Sequence, residues 1–359
     1  MFKFFLLKND DEFQRGKEYG KLAKDLIKKN IKFYLKFWID SLRIPKETLI
    51  GVSYEFIKTI EKYDKWIWEE LEGISEGSGE SISNIVLMNC RYELGWIGEA
   101  LKKLKVEGCT SIGVLPEKTD GKTYLAHNWD YKEHFLDTSV ILEISRSEQP
   151  SIVTKTEAGI VCQQGINSNG IGVVLNALVS SEDKFGQGVP VNILMRKILD
   201  SENLGTAIKC VYDAETSISV NFMIGAPSEI IDLEKTPKGV SYIFPEKGFL
   251  VHTNHLLKAQ TEFSLQDRFI PVIPDTLLRV DRAIRFLRNG KIEFKTLENV
   301  LRDHFNYPNS ICRHPNQRED EFTRLMTVSS MIMDLDAKIL HITRGNPCKS
   351  ERASISFKG

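Results

Sequence analysis

The chain has 359 residues, enough to bury a substantial core in one large domain or two medium ones. Lys and Arg total 48 against 49 Asp and Glu, a net charge of -1, so no global field argues for nucleic acid or an anionic membrane as partner. Apolar content of 42% and charged content of 27% are those of an ordinary soluble globular protein, and no stretch approaches the roughly 20 apolar residues of a membrane span.

The opening run MFKFFLLKNDDEF turns acidic by position 10, too early for a secretory signal, and no Asn-x-Ser/Thr sequon follows. Residues 11–108 read as helical. Apolar residues at 22, 23, 26, 27, 31 and 34–35 give a first helix amphipathic spacing. Its lysine-rich polar face suits a membrane surface in principle, but the near-balanced charge of residues 1–108 favours a solvated face on a packed helix. A second helix is predicted over about 53–73. After a Gly/Ser break, Ser81 and Ser83 can cap a third that contains Ile85, Val86, Leu87 and Met88.

From position 109 the texture changes. β-rich runs at 110–115, 123–127, 138–145, 151–155, 159–163 and 170–175 are separated by turn signals such as Thr119-Asp120-Gly121 and Asn167-Ser168-Asn169-Gly170. Helical pattern returns at 190–200 and 203–212, then strand at 217–224, 229–234, 240–244 and 249–253. Helices at 275–288 and 296–303 precede two last strands near 326–334 and 337–343. This order predicts an α+β fold of antiparallel sheets layered with helices, not a βαβ repeat. No GxGxxG or Walker loop is present.

Six scattered cysteines (Cys90, Cys109, Cys162, Cys210, Cys312, Cys348) form no CxxC pair and read as reduced thiols of a cytoplasmic protein. His252 and His255 lie three apart, yet no cysteine or carboxylate completes a ligand set at useful spacing, so neither a metal nor another cofactor is expected. Cys162, Cys210, Cys312 and Cys348 are most simply small buried hydrophobes.

Cys109 follows Gly108 directly and is trailed by Asn128-Trp129-Asp130. One reading is a buried strand and a turn, with Asp130 a turn aspartate. The other is that Gly108–Cys109 is a bond the protein cuts itself. A free thiol has pKa about 8.5 and is mostly protonated at neutral pH, and no histidine here falls in a familiar thiol-protease context. Cutting the bond would free an α-amino group of pKa about 7.7–8.0, a few bonds from the sulfur, able to act as base and then as acid. Gly108 suits the cut because, lacking Cβ, it can adopt backbone angles that expose its carbonyl.

Several separated blocks carry a resemblance: "RGKEYG" at 15–20, "ELEGISEGSGESISNIVLMNCRYEL" at 70–94, "GCTS" at 108–111, "NWD" at 128–130, "GINSNGIGVVLNAL" at 165–178, "HTNH" at 252–255 and "SICR" at 310–313. With these the chain resembles the acyl-coenzyme A:isopenicillin N acyltransferase-like family of N-terminal nucleophile (Ntn) hydrolases. The resemblance implies a four-layer αββα fold made as a precursor that cuts itself between Gly108 and Cys109. Residues 1–108 would remain as a helical small subunit on a catalytic chain of residues 109–359. It implies Cys109 as nucleophile, Asp130 beside the new amino terminus, Asn254 and the backbone N–H of Ala177 as oxyanion donors, and Arg313 as charge balance for Asp130.

Other residues have plainer readings. Asn254 also suits a strand-end cap, Asn176 a buried anchor, Arg313 a solvated surface. Thr110 and Ser111 can assist the cut or simply sit in a strand. Trp129, Tyr131 and Phe135 line an acyl pocket or fill the core. The expected function is transfer of an acyl group from a linear amide or thioester, coenzyme A thioesters included, through acyl-Cys109 to water or an amine. Its substrates are small molecules, and homo-oligomer formation stays open. An uncut Ntn-fold binding protein and a histidine-assisted thiol protease are the alternatives.

Overall fold

A computed structural model of the chain describes residues 1–95, 107–186 and 188–358. The part of the helical reading that covers 96–106 lies outside the described residues. Asp11 caps α1 (Glu12–Leu22) by accepting from the Gln14 N–H, and α2 (Lys24–Lys36) follows after a break at Ala23. The helix expected over 53–73 is two, α3 (Lys46–Tyr63) and α4 (Lys65–Ser78). Asp64 divides them because it is extended, with φ -152°, and its carboxylate accepts from the Ile67 N–H at 2.9 Å to start α4. Gly79, left-handed at φ 72°, ends α4, and Ser81 caps α5 (Ile82–Asn89) ahead of the short α6 (Arg91–Leu94).

Helices α1 and α4 cross with their backbones almost touching. A Cβ on Gly16 would meet the Glu70 carbonyl oxygen at 2.1 Å, and one on Gly73 would meet the Phe13 carbonyl oxygen at 2.1 Å. Gly77 is equally tight and Gly20 nearly so, at 2.5 Å from the Ile74 carbonyl oxygen, so two pairs of glycines four apart let the helices interlock. Below the crossing, Arg15 and Arg196 each reach Glu70 at 2.9 Å with all three buried. Burial opposes the charge, yet Arg196 and Arg15 hold the Glu70 carboxyl at about 2.

Among the described residues one sheet has eight strands. At its edge β1 (Lys3–Leu7) runs parallel to β4 (Ser139–Ile144). Antiparallel β5 (Ile152–Glu157), β6 (Gly165–Asn167), β7 (Gly172–Ala177), β8 (Val220–Ala226), β9 (Glu229–Thr236) and β10 (Gly239–Ile243) follow in order. The N-terminal region is therefore not helical alone: its opening apolar run is a strand. The strand expected at 159–163 is instead a turn, with pairing resuming at Gly165.

The second sheet has the order β11 (Phe249–His252), β2 (Thr110–Val114), β3 (Tyr124–Lys132), β12 (Leu325–Asp334), β13 (Ile339–Arg344) and β14 (Arg352–Ile355). Strand β3 continues through Asn128, Trp129 and Asp130, so that polar run is sheet and not turn. The short edge strand β14 was not expected. Helices α7 (Phe135–Thr138), α8 (Val191–Leu199), α9 (Leu204–Asp213), α10 (Ala259–Glu262), α11 (Asp275–Leu287) and α12 (Phe294–Leu301) complete the chain.

The cores stack these elements into four layers. Apolar residues of α1–α5, α8 and α9 bury the outer face of the first sheet. Leu125, Met331 and Met333 meet Ile141, Val153, Val174 and Met223 between the sheets. Ala283, Leu287, Leu297 and Val300 of α11 and α12 cover Ile112, Val114 and Ala126 on the far side. Helix, sheet, sheet, helix is the αββα order expected.

Candidate active site

Alternation along β2 and the residues before it sends neighbouring side chains to opposite faces. Thr110 faces the α11 layer. Cys109 and Ser111 face the other sheet, where the Ser111 hydroxyl donates to Asn176 Oδ1 at 2.6 Å.

On the helix side two arginines organise the centre. Arg279 lies one turn from Asp275 on α11 and donates to it from Nε at 2.9 Å. Its Nη1 donates to the Cys109 carbonyl and to Thr110 Oγ1 (3.1 Å), and its Nη2 to Asn254 Oδ1 at 3.0 Å. Arg313 donates from Nε to Asp130 Oδ2 at 3.1 Å, from Nη1 to Asn309 Oδ1 at 2.7 Å, and from Nη2 to Asp275. A β-bulge between Thr327 and Ser329 sets Thr327 opposite Asp130, and its hydroxyl donates to Asp130 Oδ1 at 2.7 Å. Burial pushes the Asp130 carboxyl up to about 7 against the pull of Arg313 and Arg279. Burial works the same way on Asp275, but with both guanidiniums on it that carboxyl stays below its ordinary value.

Gly108 donates its N–H to the Asp130 carbonyl at 3.2 Å. A Cβ at Gly108 would sit 2.9 Å from Arg313 Nε. Its φ is not among the positive ones, and glycine here also has a steric reason: the guanidinium fills the space a side chain would need.

On the inter-sheet side Cys109 is fully buried, with Sγ 3.8 Å from Glu107 Oε2. Burial, then the negative charges of Glu107 and Asp130, push the thiol well above its usual range. Burial also raises Glu107, although Arg91 pairs with it at 3.0 Å. No histidine hydrogen-bonds to Cys109 among the described residues. Around this end the apolar filling gives way to polar groups. His127 Nε2, Trp129 Nε1, Lys155 Nζ and Asn176 Nδ2 are buried without hydrogen-bond partners among the described residues, and Lys155 Nζ lies 2.9 Å from the Trp129 ring centroid. Each such group costs about 1–3 kcal/mol if left unpaired.

A family model described as acyl-coenzyme A:6-aminopenicillanic acid acyl-transferase matches residues 117–349, well over half of the chain. The chain belongs to this acyl-transferase family. It is 27% identical over 334 residues, 92% of its own length and 90% of the relative's, to the acyl-coenzyme A:6-aminopenicillanic-acid-acyltransferase 40 kDa form of Emericella nidulans. Among solved structures it is similar to penicillin V acylase from Agrobacterium tumefaciens, with a TM-score of 0.48, 12% identity and coverage of 69% of this chain and 86% of that one. A variant of conjugated bile acid hydrolase from Clostridium perfringens gives a TM-score of 0.45 at 12% identity, covering 70% and 97%.

Within this member of the family, Gly108, Cys109, Asp130, Asn254, Ala177 and Arg313 are brought to one centre. Asn254 Nδ2 donates to the Ala177 carbonyl at 3.0 Å, which places the two residues side by side. Trp129, Tyr131 and Phe135 are buried together, Trp129 stacked on Tyr131 at 5.2 Å. His252 stands apart on Glu234 at 2.9 Å. Burial pulls it down, but Asp232 and Glu234 bring it to about 8. The sequence reading missed Arg279, Glu107, Asp275 and Thr327. Glu107 alone had a signal, a carboxylate two residues before the nucleophile. No helix of the described residues is long and apolar enough to cross a membrane.

Proposed function

We propose that the chain cuts its own Gly108–Cys109 bond and then uses Cys109 to transfer the acyl group of a linear amide or thioester. The observation that carries this reading is the Arg279 guanidinium, which joins the Cys109 carbonyl to the Asn254 side chain. In the uncut chain Glu107 is the group within reach of the thiol proton. Raised by burial, it is a stronger base than an ordinary carboxylate. The sulfur attacks the Gly108 carbonyl, the C–N bond breaks, and the departing nitrogen takes the proton and becomes the amino terminus of Cys109. Water then hydrolyses the thioester, leaving a Gly108 carboxylate and a free thiol.

In the cut enzyme the new amine takes the thiol proton, with Asp130 and Arg313 fixing its surroundings. Asn254 and the Ala177 N–H receive the oxyanion. Full burial of Cys109 before the cut excludes substrate, so cleavage both frees the base and opens the site. The relatives' names make acyl-coenzyme A thioesters the first donors to try, with amines and water as acceptors. The test is intact mass of denatured protein beside Cys109→Ala. Fragments 1–108 and 109–359, absent from the variant, support the reading. One uncut chain after prolonged incubation refutes it.

A further inference from the structure

Residues 302–324 link α12 to β12 with no helix or strand of their own, a length of irregular chain that usually needs something to hold it. Four potential ligands converge there. Cys312 Sγ is 3.6 Å from His314 Nε2 and 3.6 Å from Cys348 Sγ. His314 Nε2 is 3.4 Å from Cys348 Sγ and 3.2 Å from His304 Nε2, and all four ligand atoms lie within 4.8 Å of one another. A tetrahedral Zn²⁺ with Zn–S of about 2.3 Å and Zn–N of about 2.0–2.1 Å requires edges of about 3.8 Å (S–S), 3.6 Å (S–N) and 3.3 Å (N–N). Four of the six edges fall within about 0.2 Å of these, and the remaining two, from His304 to the sulfurs, lie within 4.8 Å and would have to shorten around an ion. Sulfurs 3.6 Å apart are far beyond the roughly 2.05 Å of a disulfide.

The surroundings suit a cation. The Asn346 amide donates to Cys312 Sγ at 3.5 Å and to the Arg313 carbonyl at 2.7 Å, an outer contact that steadies a thiolate ligand. The Tyr307 ring sits 5.2 Å from that of His314 and 6.4 Å from that of His304. We propose that His304, Cys312, His314 and Cys348 bind one Zn²⁺ in a closed, four-ligand structural site that holds Arg313 beside Gly108. Two thiol protons leave to solvent when the ion binds. Arg313 lies between two ligands in sequence, and its side chain reaches Asp130 and Asp275. The metal site stands independently, whereas its effect on Arg313 rests on the self-cleavage reading. It revises the expectation that no metal is held. That expectation considered only His252 and His255, and ligands at 304, 312, 314 and 348 match no compact spacing pattern.

The test is zinc content by mass spectrometry of reduced, desalted protein. About one zinc per chain is expected, falling at least fivefold in His304→Ala and Cys348→Ser. If a variant does not fold, metal-free wild-type protein titrated with Co²⁺ decides. Visible ligand-field bands and a thiolate charge-transfer band, displaced by Zn²⁺, support the site. Wild-type protein with neither zinc nor these bands overturns it. So does a Cys312–Cys348 disulfide found by peptide mapping of an unreduced sample. Zinc bound by a chain that never cuts would leave the metal site standing and refute self-cleavage. Zinc removal that leaves the cutting rate unchanged would overturn the positioning role.

Discussion

The α1–α4 crossing and the Cys109 centre are both buried and both carry charge, but they are held differently. At the crossing, backbone lies on backbone at Gly16 and Gly73, and Glu70 is shared by two arginines. At Cys109, side chains from β3, α11, the 302–324 loop and Asn254 meet through hydrogen bonds. A crossing of that kind has no slack. If the Gly108–Cys109 bond is cut as proposed, the centre needs parts that can shift, and arginine side chains supply them where touching backbones cannot.

Substitutions can break or sharpen this contrast. Arg279→Met removes the bridge from Cys109 to Asn254 and should slow self-cleavage by about 10²–10³, followed by gel time course. Glu107→Gln should slow the cut by about 10². In wild type the cut should be silent in acid and accelerate as pH rises through the raised Glu107 pKa, because only the carboxylate accepts the proton. The variant should lose that rise.

Gly73→Ala drives a Cβ into backbone that cannot retreat and should cost roughly 3 kcal/mol by denaturant unfolding. Gly51 on α3 has nothing within 4 Å of its missing Cβ, so Gly51→Ala should instead stabilise by about 0.5–1 kcal/mol. If both glycine variants behaved alike, the close approach at the crossing would not be what constrains it.

The same contrast explains what could be read from the sequence. Helical periodicity, alternating strands and turn residues are local, and they yielded most elements of the second half, whereas the four-layer order came from the resemblance to a family. Asp64 split a helix because an N-cap competes with apolar periodicity. The first strand was hidden because its partner, β4, lies more than a hundred residues away. Cys109, Asp130, Asn254 and Arg313 could be named because they fall in blocks that resemble a family. Arg279 could not: an Asp–Arg pair one turn apart looks like an ordinary surface ion pair until its helix docks. Thr327 depends on a bulge, and the His304–Cys348 cluster on loop closure, neither of which has a local pattern.

Strand β1 gives residues 1–108 a permanent address. Its five residues pair with β4, so a cut at 108 would leave part of one polypeptide stitched into the sheet of the other. A tag on Met1 should then carry both pieces through a column, and only unfolding should separate them. Co-expressed from two plasmids, residues 1–108 and 109–359 should find each other, with Cys109 exposed as an amino terminus once its initiator is removed. The enzyme would thereby become a split protein that can be assembled on demand.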